Sequence, residues 1–75
     1  MSMRRIPVDK APLLLGRAHT EQAKNPGLRY GQCLWNLIAQ DYPDVADYYC
    51  GTEMDFYYEP IDLSIDMFWT YYVEA

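Results

Sequence analysis

The stretch Asn25 to Gly51, NPGLRYGQCLWNLIAQDYPDVADYYCG, constrains the fold most, because it carries its own start and stop signals. Asn25 suits a helix cap, and Pro26 suits the first helical position, where a missing N–H is no loss. Leu28, Tyr30, Leu34, Leu37 and Ile38 then recur at spacings of three and four, with Cys33 beside them, which predicts one apolar face of a helix running to about Asp41. Pro43 cannot extend that helix cheaply, but it can begin another. Asp44 falls in the first turn, favoured by the helix dipole, and Val45, Ala46 and Tyr49 point inward. Gly51 stands where a left-handed C-terminal cap is wanted. The expectation is a helical hairpin with a proline-set corner.

Ahead of the hairpin, residues 1–10 read as a flexible basic arm, with Pro7 and Pro12 keeping it extended and Asp9 available as a cap. Leu13, Leu14, Ala18 and Gln22 share a helical face, weakened by Gly16, which predicts a short helix from about Ala11 to Ala23 ended by Asn25-Pro26-Gly27. After the hairpin, Thr52 with Asp55 three residues on resembles a helix start, and Pro60 limits that helix to a few residues. Ile61 to Ala75 fits two patterns. Strict alternation from Ile61 to Val73 describes a strand, whereas Ile61, Ile65, Phe68, Trp69 and Tyr72 describe a helix face. A lone strand finds no partner in this chain and would pair with a second copy through its edge, so the helix is preferred. The expected architecture is all-α, a small bundle of three to four short helices forming one domain over residues 11–75. The alternative is an α+β chain whose C-terminal strand pairs in a homodimer.

Gly31 sits inside the central helix, where glycine costs up to ~1 kcal/mol against alanine, so close approach of another backbone is expected there. Trp35, one turn on, is expected to be buried. Gln32, Asn36 and Gln40 form a neutral amide stripe, read as a solvated face or a contact line. Cys33 and Cys50 lie in opposite arms of the hairpin and are expected to be reduced and mostly buried.

Charge narrows the function. All six Lys and Arg occur at or before Arg29, and nine of eleven acids come after it. Residues 1–29 sum to +4 (six bases less Asp9 and Glu21) and residues 30–75 to −9, and all twelve aromatics fall at or after Tyr30. A base-free acidic body repels nucleic acid, because phosphate binding depends on neutralising cations. The same body attracts basic protein grooves. The candidate contacts with a basic partner are Asp44, Asp47, Asp55, Tyr57, Tyr58, Glu59 and Asp62, centred on the DFYYE run, where tyrosine offers large area at low entropic cost. The alternative function is a nucleic-acid-associated regulator acting through Arg4, Arg5, Lys10 and Arg17.

No enzyme is expected. His19 is the lone histidine, and neither an orienting group nor an oxyanion site accompanies it and Cys33. Two Cys and one His without zinc spacing define no metal cage, and the acidic spacings at Asp41, Asp44 and Asp47 or at Asp62 and Asp66 lack a cation loop. No cofactor or metal is expected. No apolar run reaches the ~20 residues of a membrane span, and the broken N-terminal run does not fit a secretion leader, so a cytoplasmic protein is expected.

Taken together, N-P-G-L-R-Y-G-Q-C-L-W-N from Asn25 to Asn36, Y-P-D from Tyr42 to Asp44 and G-T-E-M-D-F-Y from Gly51 to Tyr57 resemble a group of short, uncharacterised proteins encoded in phages, prophages and bacterial genomes. Those share NPxLRxGQxxxN and GTExDxFY segments followed by an amphipathic terminal helix. The resemblance spans about residues 25–72 and implies a helical C-terminus. It brings no activity, so no residue role is carried over. A phage setting implies, by analogy, an inhibitor of host machinery, such as a DNA mimic of the anti-CRISPR kind acting on an antiviral nuclease complex.

Overall fold

The computed structural model describes residues 5–74. Helix α1 spans Ala11–Lys24 with Pro12 in its first turn, and buries Ala11, Leu14 and Ala18 while Leu13 turns to solvent, 60% exposed. Asn25 ends this helix and does not open the next. Its backbone N–H donates to the carbonyls of Glu21 and Gln22, and its side-chain amide donates to Glu21 O at 3.1 Å. An Asn that reaches back over four residues no longer serves as a forward cap. Residues 26–28 therefore form a turn, and Leu28 is exposed, contrary to the sequence expectation.

Helix α2 spans Tyr30–Asp41, starting from an extended Arg29 whose N–H donates to the Gln32 side chain at 3.0 Å. It buries Tyr30, Cys33, Leu34, Trp35, Leu37 and Ile38 and packs against α1, α3 and the later helix α4, so its apolar surface runs nearly all the way round. Helix α3 spans Pro43–Tyr49 beyond the Tyr42 corner and buries Val45, Ala46 and Tyr49. Gly51 follows with φ +77°, the left-handed cap expected of it. Cys33 is buried and Cys50 exposed, and both thiols are free.

Residues 51–60 form turns where a short helix was expected. The Thr52 hydroxyl donates backwards to Tyr49 O at 2.7 Å, and the Asp55 carboxylate accepts the N–H groups of Gly51 and Tyr57, both at 3.0 Å. The Thr52 oxygen also accepts the Met54 N–H at 3.3 Å, so these side chains tie the loop to the end of α3 and brace its turns instead of opening a helix. Phe56 is wholly buried.

Helix α4 spans Ile61–Met67 and runs into a single π-helical turn, Phe68–Tyr72. Its buried line is Ser64, Phe68 and Tyr72, with Ile65 and Met67 partly covered, while the expected core residues Ile61 and Trp69 face out at 43% and 41% exposure. The rotation follows from the crossing with α2. A Cβ built on Gly31 would lie 2.7 Å from Phe56 O, 2.8 Å from Ser64 Oγ and 3.2 Å from Glu59 O, so only glycine admits the loop carbonyls and the Ser64 side chain together. The Ser64 hydroxyl, 3.2 Å from Glu59 O and 3.5 Å from Phe56 O, satisfies its own burial there.

Past the π turn the backbone extends, and Val73 forms an isolated parallel bridge with Ile6. Ile6 N donates to Tyr72 O and Glu74 N donates to Ile6 O, each at 2.9 Å. Among the described residues this bridge is the sole strand-like pairing, so the fold is an all-α globule of four helices. Ile6 is completely buried, which differs from the flexible arm expected around it: its side chain enters the core alongside Val73. Residues 1–4 of that arm, with Arg4, lie outside the described residues.

Candidate protein-binding surface

The outer side of α4 is built by the same rotation that buries Ser64. Asp62, Asp66 and Trp69 are exposed and follow one another at spacings of four and three, which places two carboxylates and an indole on one helical face, with Leu63, 44% exposed, at its edge. Tyr58, 74% exposed, and Glu59, half-buried, lie just before the helix on the far side of Pro60. Tyr58, Glu59 and Asp62 were expected here from sequence. Asp66, Trp69 and Leu63 were not, because the apolar periodicity turned Trp69 inward with Ile65 and Phe68. The buried line Ser64, Phe68 and Tyr72, opposite a glycine in α2, is the pattern that would have reversed that choice.

The remaining candidates divide. Asp44 and Asp47 are exposed on the solvent side of α3 beside Tyr48, which is 62% exposed, so they belong to a different helix from Asp62. Asp55 is half-buried, with each carboxylate oxygen accepting a backbone N–H, and it shapes the loop. Tyr57 is half-buried and meets Tyr58 edge to face at a centroid distance of 4.9 Å, which holds the exposed ring in place.

Among the described residues, two basic side chains bond to the acidic part of the chain. Arg17 pairs with Asp41 at 2.6 Å, and Arg29 donates to Tyr58 O at 2.9 Å, fastening the aromatic loop to the start of α2. Among the described residues no other acid beyond Arg29 is in an ion pair, so Asp44, Asp47, Glu53, Asp62, Asp66 and Glu74 present uncompensated charge.

Burial raises the pKa of three groups. The Cys33 thiol is pushed up by desolvation and by the Glu21 carboxylate, which disfavours the nucleophilic thiolate. The Tyr30 and Tyr72 phenols are pushed up by the same desolvation, Tyr72 further by Asp55, Tyr49 and Cys50. His19 is exposed, its ring 4.9 Å from that of Tyr30. Among the described residues no group of three His, Cys, Asp or Glu is arranged to hold a metal ion, and no helix is long and apolar enough to cross a membrane. No family model, curated protein or solved structure matches the chain.

Proposed function

We propose that this protein is a small acidic interaction module that binds and inhibits a basic, nucleic-acid-handling protein, with Tyr58, Glu59, Asp62, Asp66 and Trp69 as the centre of contact. The observation that carries this reading is the α4 outer face, where Asp62 and Asp66 stand exposed on the same side as an exposed Trp69 and, among the described residues, neither carboxylate is in an ion pair. Carboxylates on such a face occupy the role of phosphates for a groove lined by Lys and Arg, and the aromatic rings add contact area and cation–π attraction. Asp44 and Asp47 extend the negative potential and speed encounter. The resemblance to phage- and prophage-encoded proteins favours a host defence complex as the target. The alternative, nucleic-acid binding through the basic segment, draws less support, since the Arg17 guanidinium is engaged by Asp41.

The test is competition: duplex DNA bound to a panel of basic DNA-handling proteins, antiviral nuclease complexes among them, is challenged with this protein. Release of DNA from at least one panel member, weakened at least about tenfold by Asp62→Lys with Asp66→Lys and by rising salt, is expected. Release that is indifferent to both changes, or absent throughout, refutes the reading.

A further inference from the structure

Helices α1 and α2 and the turn between them line an open groove of about 330 Å³ that the α4 surface does not touch. Its floor is apolar: Leu37 and Cys33 are nearly buried there, and Leu28 is left 39% exposed by the turn that Asn25 imposes. Its rim is made of amides. Asn36 and Gln40 line it from α2, and Asn25 lines the end, one N–H of its amide donating to Glu21 O while its carbonyl oxygen can accept. The amide stripe read from sequence thus splits. Gln32 caps Arg29, and the other two members line the groove.

Charge in the groove is unbalanced in a definite direction. Arg17 lines one side, but its guanidinium is held by Asp41 at 2.6 Å, so that pair is neutral. Glu21 lines the groove with no ionic partner among the described residues, close enough to the Cys33 thiol to disfavour its ionisation. The groove therefore offers an unpaired carboxylate and amide oxygens as acceptors beside an apolar lining.

We propose that this groove is a second binding site, one that takes an arginine side chain presented by a protein partner. A guanidinium carries five N–H donors in a planar fork, matching acceptors spread over Glu21, Asn25, Asn36 and Gln40, while its alkyl stem lies along Leu28 and Leu37. A compact ammonium brings three donors against the five of a guanidinium and so pairs fewer of these acceptors, and an apolar ligand leaves the amides unpaired. The site is independent of the α4 face.

The probe is the peptide acetyl-Gly-Arg-Gly-amide, titrated into the ¹⁵N-labelled protein beside its citrulline and lysine counterparts. Saturable shifts are expected in the side-chain amides of Asn36 and Gln40 and in the backbone around Glu21 and Leu28. Glu21→Gln should weaken the arginine peptide about tenfold, the loss of one charge-assisted contact. Gln40→Ala, at an exposed position, should weaken it as well, which covers the case of a Glu21 variant that fails to fold. Asp62→Asn with Asp66→Asn should leave these shifts unaltered, so loss of the α4 surface and loss of the groove read out separately. Equal binding of the citrulline or lysine peptide, shifts confined to α4, or no saturation overturns the proposal.

Discussion

Three oxygens crowd the place a Cβ would take on Gly31, and two of them belong to the backbone of the 51–60 loop, which cannot step aside as a flexible side chain would. Gly31→Ala gains helix propensity yet forces that loop outward, so a net loss of about 1–3 kcal/mol is expected, seen as a melting temperature several degrees lower. Gly16→Ala provides the opposite sign: nothing lies within 4 Å of its added Cβ, and the exposed helix should gain up to about 1 kcal/mol. Thermal melts of the two variants decide both. The close approach at Gly31 was legible in the sequence, because a glycine in a helix interior is costly without such a reason. Ser64 was not legible, since a serine among apolar residues reads as a surface position until the carbonyls of Phe56 and Glu59 are placed around it. Tyr30 and Tyr72 set an alkaline limit. Their folded pKa values lie above the unfolded one, so the unfolded chain releases these protons first, and the stability they supply is complete below about pH 10 and declines above it. The decline approaches about 1.4 kcal/mol per pH unit for each phenol. Tyr72→Phe should flatten that slope in denaturant titrations between pH 9 and pH 11, while the loss of its bond to Met54 O costs about 1 kcal/mol at neutral pH.

Among the elements, those bounded by proline and glycine were readable: α1, expected over about Ala11–Ala23 and found over Ala11–Lys24, the Tyr42–Pro43 corner, α3, and the left-handed turn at Gly51. Boundaries set by polar side chains were not. Asn25 and Thr52 each have backbone partners available in both directions: the Asn25 amide donates back to Glu21 O, and the Thr52 hydroxyl donates back to Tyr49 O while accepting the Met54 N–H ahead of it. The C-terminal segment, whose pattern fitted both a strand and a helix, is helical from Ile61 to Tyr72 and extended only at Val73. The helix preferred there is present, and the single bridge beyond it joins Val73 to Ile6, sixty-seven positions away in sequence. Ile6 fills a fully buried site and covers the end of α4, so Ile6→Ala should cost about 2–5 kcal/mol, a large share of the stability of so small a domain. Hydrogen exchange should show the Glu74 amide losing protection first, and a variant with unchanged melting would contradict the docking of this segment.

For the molecule as a whole, the charge asymmetry was legible at once, and its arrangement in space was not. Sequence grouped Asp44, Asp47 and the 55–62 acids into one surface. The fold puts the first two on α3, gives Asp55 to its own loop, and adds Asp66 and Trp69 to the α4 face. Because −9 charges follow Arg29 and few are paired, the folded state carries self-repulsion that salt relieves. Asp62→Lys with Asp66→Lys should therefore melt no lower than the parent at low ionic strength, which separates a binding defect from a folding defect. The two tryptophans lie on opposite sides of that distinction. Trp35 stands edge-on to Phe56 and Tyr72 inside the core, whereas Trp69 stands at the rim of the acidic face. The chain thus holds a pair of intrinsic optical reporters: the blue-shifted emission of Trp35 follows the integrity of the interior, and the red-shifted emission of Trp69 responds when a partner settles on α4. Trp69→Phe and Trp35→Phe variants would isolate each colour without a dye.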